Sequence, residues 1–311
     1  MISCALQQIL FEALDAKAFK PVNVASVPQR SPFRYAGGKT WLIPEIRKWL
    51  SALAHKPKLL IEPFAGGGIV SLTAAFERLA DNVLMVELDN EVAAVWETIV
   101  GSDAEWLAKR IETFEMSLDS AKKIVTSAPE GTRDIAFRTI VKNRTFHGGI
   151  LAAGSTFLKH GENGRGVLSR WYPTTLARRI RDIDYVRKRI EFVRGDAFEI
   201  IKQYSKQKSV AWFVDPPYTA GGKRAGSRLY THSQIDHEKL FALMEEVKGN
   251  ILMTYDNADE VKVLAEKHGF QTALIPMKNT HHAKMMELLI GNDLSWVDGP
   301  RPRGENRVNG D

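Results

Sequence analysis

The sequence contains a single cysteine, Cys4, among its 311 residues. One thiol cannot form an intrachain disulfide or a cysteine-based zinc site, so a disulfide-stabilised secreted domain is excluded. The chain also lacks an uninterrupted apolar run of the ~18 residues that a membrane span requires. Residues 1–20 have neither the basic start nor the small-residue cleavage site of a signal peptide. We therefore expect a cytoplasmic protein with no membrane partner.

A strong overall excess of charge is also missing, since 43 Lys and Arg residues face 37 Asp and Glu residues, a net charge of +6. This is ordinary globular composition, and at ~150 residues per domain the length predicts one large or two modest domains. The charge is unevenly distributed. Residues 131–190 hold 13 Lys and Arg against 4 Asp and Glu, which is +9 for this segment and −3 for the remainder. Such a local excess favours a polyanion-binding surface, although a solvated helix face would produce the same count.

Seven short apolar runs alternate with helical patterns along the chain. They are Leu59–Ile61, Val83–Val86, Glu191–Val193, Val210–Val214, Ile251–Thr254, Thr272–Ile275 and Glu287–Ile290. This alternation predicts an α/β fold in which crossover helices cover both faces of a mostly parallel sheet.

The spacing of these runs also predicts the domain organisation. Residues 101–190 are too many for one crossover between the second and third strands, so we expect an inserted second domain there. The main domain then comprises residues 31–100 and 191–290, between an N-terminal extension (1–30) and a flexible tail (291–311). Within the insertion, Asn163-Gly164 is a two-residue turn signal that predicts a hairpin near residues 155–171.

The first strand leads into a glycine-rich string, E-P-F-A-G-G-G, at residues 62–68. Glycines at the carboxyl edge of a parallel sheet let a ligand approach the backbone closely. The string is not a dinucleotide fingerprint, because Ser71 stands where the last glycine is required. About 20 residues later the second strand ends at Glu87, a position suited to accept hydrogen bonds from a ribose diol. A structural turn would explain the glycines alone, but the combination predicts a nucleoside-containing cofactor.

A second string, Asp215-Pro216-Pro217-Tyr218, directly follows the apolar run at residues 210–214. Two consecutive prolines remove two backbone donors and fix φ, which leaves rigid carbonyls at the end of the strand. A carboxylate, a fixed carbonyl and an aromatic ring would together offer two acceptors for an exocyclic amine and a platform for a flat base. The alternative is an ordinary proline-rich turn.

In their order and spacing, these strings resemble the Dam-type, alpha-class family of N6-adenine DNA methyltransferases. The resemblance rests on R-Y-A-G-G-K (34–39), E-P-F-A-G-G-G (62–68), V-E-L-D (86–89), N-R-T-F-H-G-G (143–149), G-D-A-F (195–198), D-P-P-Y (215–218), D-H-E-K-L (236–240) and M-E-L-L-I-G-N (286–292). It implies a class I S-adenosylmethionine-dependent methyltransferase fold, Rossmann-like, with a mostly parallel seven-stranded sheet and one antiparallel strand near an edge. It also implies that the insertion is a mainly helical domain that recognises the DNA target.

The resemblance assigns roles to individual residues. The catalytic string is Asp215, Pro216, Pro217 and Tyr218. The cofactor, S-adenosylmethionine, is expected to contact Tyr35, Ala36, Gly37, Lys39, Glu62, Phe64, Ala65, Gly66, Gly68, Glu87, Leu88, Asp196, Ala197 and Asp215. In this assignment Glu87 is the ribose acceptor, for which close relatives usually have Asp, and Asp196 with Ala197 contacts the adenine edge of the cofactor.

Contacts with double-stranded DNA are expected from a further set of residues. Arg34, Asn143 and Arg144 match the family's DNA-facing positions. Lys159, Arg165 and Arg170 lie on or beside the predicted hairpin and would meet either guanine edges or phosphates. No metal is expected, because a sulfonium methyl group is already activated. The resemblance also allows a restriction endonuclease as a partner.

The expected activity is site-specific methylation of adenine N6, with the base rotated out of the duplex into the D-P-P-Y pocket. Four alternatives stay open: transfer to cytosine N4, to an RNA adenine or to a protein glutamine side chain, and a catalytically inactive DNA-binding relative. A nicotinamide dehydrogenase is a weaker option. Transfer to cytosine C5 is excluded, because that reaction needs a cysteine nucleophile near the pocket.

Overall fold

The protein is described by a computed structural model that covers residues 24–35, 37–217, 235–278 and 284–297. All seven predicted strands form one sheet. The strands are β1 (Leu59–Glu62), β2 (Asn82–Glu87), β3 (Ile190–Arg194), β4 (Val210–Val214), β5 (Asn250–Asp256), β6 (Gln271–Lys278) and β7 (Lys284–Gly291). Their order is β3-β2-β1-β4-β5-β7-β6, and only β7 runs antiparallel to its neighbours, β5 and β6. The predicted fold class is confirmed.

Helices connect these strands and build the insertion. They are α1 (Ile43–Ala52), α2 (Ile69–Glu77), α3 (Asn90–Val100), α4 (Ala104–Glu112), α5 (Leu118–Thr126), α6 (Thr132–Thr145), α7 (Pro173–Val186), α8 (Ala197–Tyr204), α9 (His237–Glu245) and α10 (Asp259–Lys267). Short 3₁₀ turns lie at Val24–Ser26, Thr40–Leu42, His147–Gly149, Glu162–Gly164, Gly166–Arg170 and Arg187–Arg189. In the described part of the chain, no helix has the length and apolarity needed to cross a membrane.

Helices cover both faces of the sheet, and successive side chains of its strands point to opposite faces. Leu60 and Phe213 pack into the hydrophobic cluster formed with α1, α2 and α3. Ile61 and Trp212 pack into a second cluster, on the opposite face, with α8, α9 and α10. Each of these four side chains is fully buried, which stabilises the fold by about 1.5–3 kcal/mol per large apolar side chain.

The insertion is mainly helical and is joined to the rest of the protein by a continuous core. It contains α4 to α7, and buried residues such as Ile111, Ile140 and Ile180 belong to the same cluster as Trp96 of α3. Residues 101–190 therefore pack directly against one face of the main α/β domain. Their role in target recognition stays a prediction.

The hairpin predicted near residues 155–171 was wrong, since the structure describes this whole segment and contains no hairpin in it. The local turn signal is real, because Asn163 has φ 53° and the following glycine also has positive φ. The residues after it, however, form the 3₁₀ turn 166–170 rather than a strand. The residues before it pair elsewhere, through an antiparallel bridge between Phe157 and Phe146 at the end of α6. A turn signal alone therefore did not determine which segments pair.

Candidate active site

A cavity of about 1570 Å³ opens at the carboxyl ends of the central strands β1 and β4. The sheet extends from β1 to β2 on one side and from β4 to β5 on the other, so this is the point at which the strand order reverses. Ligands of open α/β sheets bind in the crevice at such a point. The predicted residues that line the cavity are Arg34, Tyr35, Gly37, Lys39, Glu62, Phe64, Ala65, Gly66, Gly68, Glu87, Leu88, Arg144, Asp196, Ala197, Asp215, Pro216 and Pro217. Ala36 and Tyr218 lie outside the described residues.

The glycine-rich loop after β1 forms one wall of the cavity. Gly66 has φ 47°, a left-handed conformation that favours glycine. A Cβ atom at this position would lie 2.5 Å from Cε1 of Tyr35, so the tyrosine ring packs directly on the loop backbone. On the other side, Trp96 Nε1 donates a hydrogen bond to the Gly66 carbonyl at 2.9 Å. Backbone conformation and ring packing therefore both require glycine here, and the loop is held in a fixed shape.

Glu87, at the end of β2, connects this loop to the next one. Its Oε2 accepts a hydrogen bond from Gly66 N at 2.9 Å, and its Oε1 accepts from Leu88 N at 2.8 Å and Asp89 N at 2.9 Å. Burial raises the pKa of Glu87 to about 7, even though these backbone donors act in the opposite direction. Because a carboxylate offers about four lone-pair positions, it retains acceptor capacity for a hydroxyl group in the cavity.

Glu62, at the end of β1, is another acid in the cavity wall and is buried. Its Oε2 accepts a hydrogen bond from Ser71 N, in the first turn of α2, at 2.9 Å. Burial raises the pKa of Glu62 to about 8, and the negative charges of Asp215 and Glu87 raise it further. Buried carboxylates are costly when ionised unless a positive charge lies close to them. The wall is therefore suited to a cationic ligand.

Asp215 follows β4 and is held by two donors on one of its oxygens. Lys39 Nζ lies 2.8 Å from Oδ1, and Thr254 Oγ1 donates to the same Oδ1 at 2.8 Å. Within the described part of the chain, Oδ2 accepts no hydrogen bond, and the Asp215 side chain is 20% exposed. One carboxylate oxygen is thus fixed by the protein while the other is available to the cavity.

Asp196 and Ala197 lie at the start of α8, beyond the end of β3. Asp196 is the N-cap residue of this helix, and its Oδ1 accepts a hydrogen bond from Phe198 N at 2.7 Å. Because Oδ1 is the oxygen that caps the helix, the orientation of the side chain is fixed. This end of the cavity is suited to a polar edge, such as that of a purine.

Arginines form the rim of the cavity on the side of the insertion. Arg34, Arg144 and Arg179 line it, and Arg170 is close enough to act electrostatically on both Arg34 and Arg144. Burial lowers the pKa of Arg144 to about 9, and the positive charges of Arg179 and Arg34 lower it further. Arg144 donates to the Pro32 carbonyl, but its buried Nε has no hydrogen-bond partner among the described residues. A cluster of one buried and several half-buried arginines is suited to an anion.

The other predicted DNA-contacting residues have different positions. The structure corrects the prediction for Asn143, which is fully buried: its Oδ1 accepts from Arg34 N at 2.9 Å, and its Nδ2 donates to the carbonyls of Arg34 at 3.0 Å and Gly149 at 2.7 Å. Its amide is occupied in holding the Arg34 segment against the end of α6. Lys159 and Arg165 are exposed and do not line the cavity.

Some residues of the site were missed by the sequence predictions. They are Trp96, Tyr172, Arg179, Thr254 and Glu287. Glu287 belongs to the string M-E-L-L-I-G-N, to which no chemistry had been assigned, and it lines the cavity beside Lys39. Arg179 belongs to the basic excess at residues 131–190 but cannot be separated by sequence from its exposed neighbours. Among the described residues, no group of three or more His, Cys, Asp or Glu is arranged to hold a metal ion.

Comparison with known proteins identifies one matching family model. The model, described as D12 class N6 adenine-specific DNA methyltransferase, matches residues 35–280. No curated protein matches the sequence.

Two solved structures illustrate a remote similarity of fold. The rRNA methyltransferase aviRa from Streptomyces viridochromogenes is 13% identical, with a TM-score of 0.39, over 88% of this chain and 86% of that one. A precorrin-6y C5,15-methyltransferase from Geobacter metallireducens is 8% identical, with a TM-score of 0.37, over 89% of this chain and 94% of that one. Values this low carry no conclusion about this chain, so the family match is the finding on which function rests.

Proposed function

Because the chain belongs to the D12 class of N6 adenine-specific DNA methyltransferases, we propose that its cavity receives an adenine rotated out of double-stranded DNA and presents the base's N6 amine to Asp215. The observation that carries this proposal is the state of the Asp215 carboxylate, in which Oδ1 is bound by Lys39 and Thr254 while Oδ2 faces no other described donor. An amine with two hydrogens complements one carboxylate oxygen and one fixed carbonyl, that of Pro216.

The methyl donor is S-adenosylmethionine, which supplies a methyl group already activated by its sulfonium. The cavity fits it on three counts. The glycine-rich loop lines the cavity, the buried Glu62 and the half-buried Glu87 are acids that a cation would stabilise, and Asp196 offers an acceptor at the far end. We assign the ribose hydroxyls to Glu87 and the adenine edge to Asp196 and Ala197, and we assign Tyr35 to cover the methionine end.

The chemical role of the D-P-P-Y string follows from the weakness of the nucleophile. The lone pair of adenine N6 is delocalised into the ring, and positive charge grows on this nitrogen during attack. Oδ2 of Asp215 and the Pro216 carbonyl accept its two hydrogens, which favours a tetrahedral nitrogen and stabilises that charge. Because these acceptors are positioned in advance by Lys39, Thr254 and the two prolines, little reorganisation is needed during the reaction.

Rotation of the base costs a few kcal/mol. In this proposal Tyr218, which lies outside the described residues, offsets part of that cost by stacking, worth about 1–3 kcal/mol per base in comparable contacts. The arginines at the cavity rim, Arg34, Arg144 and Arg179, bind the phosphates of the strand that carries the target adenine. Asn143 contributes indirectly by holding Arg34 in place. Lys159, Arg165 and Arg170 extend the same surface to neighbouring nucleotides.

The proposed activity is tested by identifying modified bases in DNA from cells that express the protein. We expect N6-methyladenine within one short recognition sequence, and its absence from cells that express the Asp215→Ala variant. Detection of N4-methylcytosine instead would show that the substrate base is cytosine. Methylation of RNA alone would show that the partner is RNA and not DNA. Absence of any modified base, together with intact DNA binding, would identify an inactive relative.

The pH dependence of cofactor binding tests the assignment of the buried acids. Their pKa values are about 8 for Glu62 and about 7 for Glu87, so both carboxyl groups are partly protonated at neutral pH when no ligand is bound. A cationic ligand favours the ionised forms, so binding releases protons and S-adenosylmethionine affinity should rise about tenfold from pH 6 to pH 8.5.

Calorimetry in two buffers of different ionisation enthalpy measures both the affinity and the released protons. S-adenosylhomocysteine, which lacks the sulfonium charge, is the matched ligand and should show a weaker pH dependence. The Glu62→Gln variant should lose most of the dependence. An equal pH dependence for both ligands would contradict this role of Glu62 and Glu87.

A cytoplasmic location and a restriction endonuclease partner are further parts of the proposal. If such a partner exists, the methylated sequence should be the one that the nuclease cuts when it is unmethylated. Digestion of methylated and unmethylated plasmid by the candidate nuclease measures this directly.

A further inference from the structure

Lys39 lies at the centre of a buried charge cluster at the catalytic edge of the sheet. Its Nζ is 2.8 Å from Asp215 Oδ1 and 3.2 Å from Glu287 Oε1, and it donates to the Gly37 carbonyl at 3.1 Å. An ammonium group has three hydrogens to donate, and these three acceptors lie within its reach. The side chains of Lys39 and Glu287 are only 5% and 4% exposed. Lys39 is therefore rigidly shared between two carboxylates.

Glu287 reaches this cluster because of the antiparallel strand. β7 lies between β5 and β6, and in this register Glu287 is opposite Asp256 of β5 and Ile275 of β6. Among the described residues, the charged groups that act on its carboxyl group include Lys39, Asp215 from the end of β4, and Asp256 from the end of β5. The neighbour on β6 is apolar.

We propose that Glu287 is a positioning residue for Asp215: by sharing the Lys39 ammonium with Asp215, it limits how far Lys39 offsets the charge of the Asp215 carboxylate and keeps Oδ2 oriented toward the substrate amine. This inference rests on the proposed function, since it concerns the same acceptor.

The electrostatic reason is the division of one positive charge between two acids. If Glu287 were neutral, the Lys39 ammonium would be attracted to Asp215 alone and would neutralise the carboxylate that has to stabilise charge on the substrate nitrogen. If Lys39 were absent, the two carboxylates would face each other with no positive charge between them. With all three present, Asp215 is held firmly at Oδ1 and keeps its charge available at Oδ2.

The same arrangement predicts how turnover depends on pH. Burial raises the pKa of Glu287 to about 7, Lys39 acts against this rise, and Asp215 adds to it. Below this pH, Glu287 becomes protonated and neutral. Lys39 then offsets more of the negative charge that Asp215 presents to the substrate nitrogen. Turnover at saturating substrates should therefore fall about fivefold from pH 8.5 to pH 6.

The test is the Glu287→Gln variant, which keeps an oxygen acceptor for Lys39 and removes only the charge. We expect the turnover number at pH 8.5 to fall about tenfold, with the affinities for S-adenosylmethionine and for DNA within twofold of the wild type. The acid limb of the pH profile should also disappear. Turnover is measured by single-turnover methyl transfer, and the affinities are measured by calorimetry and fluorescence anisotropy.

Glu45→Gln is the matched control. Glu45 of α1 is also a buried glutamate, its Oε1 lies 3.2 Å from Lys48 Nζ, and it does not line the cavity. This variant should keep wild-type turnover and the wild-type pH profile. A simple loss of stability on removing a buried charge would affect both variants in thermal melts, whereas the kinetic effect should be confined to position 287.

Three results would overturn the inference. One is wild-type turnover with an unchanged acid limb in the Glu287→Gln variant, and another is a loss of cofactor or DNA affinity with unchanged turnover. The third is a turnover number of the wild-type enzyme that does not change with pH around pH 7. This measurement does not depend on whether the variant folds. Failure of the proposed function is distinct, because the wild-type protein itself would then methylate no DNA adenine.

Discussion

Replacement of Asp215 by alanine is expected to lower the turnover number at least ~100-fold while S-adenosylmethionine binding stays largely intact. The size follows from the role proposed for Asp215, a preorganised group that stabilises charge growing in the transition state. The cluster should survive the change, because Glu287 remains as the counter-ion of Lys39 at 3.2 Å and no unpaired buried cation is created. Single-turnover transfer of a tritiated methyl group to duplex DNA measures the rate.

Two companion variants make this experiment specific. Thr254→Val removes one of the donors to Oδ1 but leaves Lys39, so we expect a smaller loss of about tenfold. Asp259→Ala, at the exposed start of α10, should leave the rate unchanged. Near-normal turnover in Asp215→Ala would contradict the catalytic role of Asp215. It would also contradict the mechanism in which its carboxylate accepts a hydrogen bond from the substrate amine.

DNA affinity is expected to fall by at least about 40-fold between 50 and 200 mM salt. Each phosphate neutralised on duplex DNA contributes a slope of about −0.9 to the dependence of log K on log salt, so three arginines at the rim contribute about −2.7. The three are Arg34, Arg144 and Arg179, which line the cavity and for which the described residues contain no ion pair. Fluorescence anisotropy with a labelled duplex measures the slope.

Arg179→Gln isolates the contribution of one arginine, and Arg181→Gln is its control on the same helix. Arg179 donates to the Ser31 carbonyl and lines the cavity, whereas Arg181 is bound by Glu105 and Glu112, each at 2.8 Å. We expect the slope to become less steep by about 0.9 in Arg179→Gln and to stay constant in Arg181→Gln. A salt-independent affinity, or equal effects of the two variants, would exclude the rim as the phosphate-binding surface.

Much of the site was predictable because its residues follow strands in the sequence. The strings after β1, β2 and β4 are local, and the carboxyl ends of parallel strands meet at one edge of the sheet. Gly66, Glu87 and Asp215 therefore come together as expected. The position of the cavity that they share could be predicted from the alternation of strands and helices, without knowledge of side-chain packing.

Other parts were not predictable, because they depend on contacts between distant segments. The Asn163 turn has the expected local conformation, yet Phe157 pairs with Phe146 rather than across that turn. Asn143 matches a DNA-facing position of the family in sequence, but its side chain is buried and its amide is bound to the backbone of Arg34. A polar residue type does not by itself reveal whether its partner is a ligand or the protein's own backbone.

The sequence by itself determined the α/β class, the seven strands and the placement of Asp215 and the glycine-rich string directly after strands, because periodicity and turn residues act over a few neighbouring positions. Only the tertiary structure decided that Lys39 is shared by Asp215 and Glu287, and that Arg179 joins the cavity rim. These relations depend on the insertion of β7 between β5 and β6 and on the packing of α7 against the main domain. Such long-range contacts depend on how the elements of the whole core pack together, and a short segment of sequence does not contain this information.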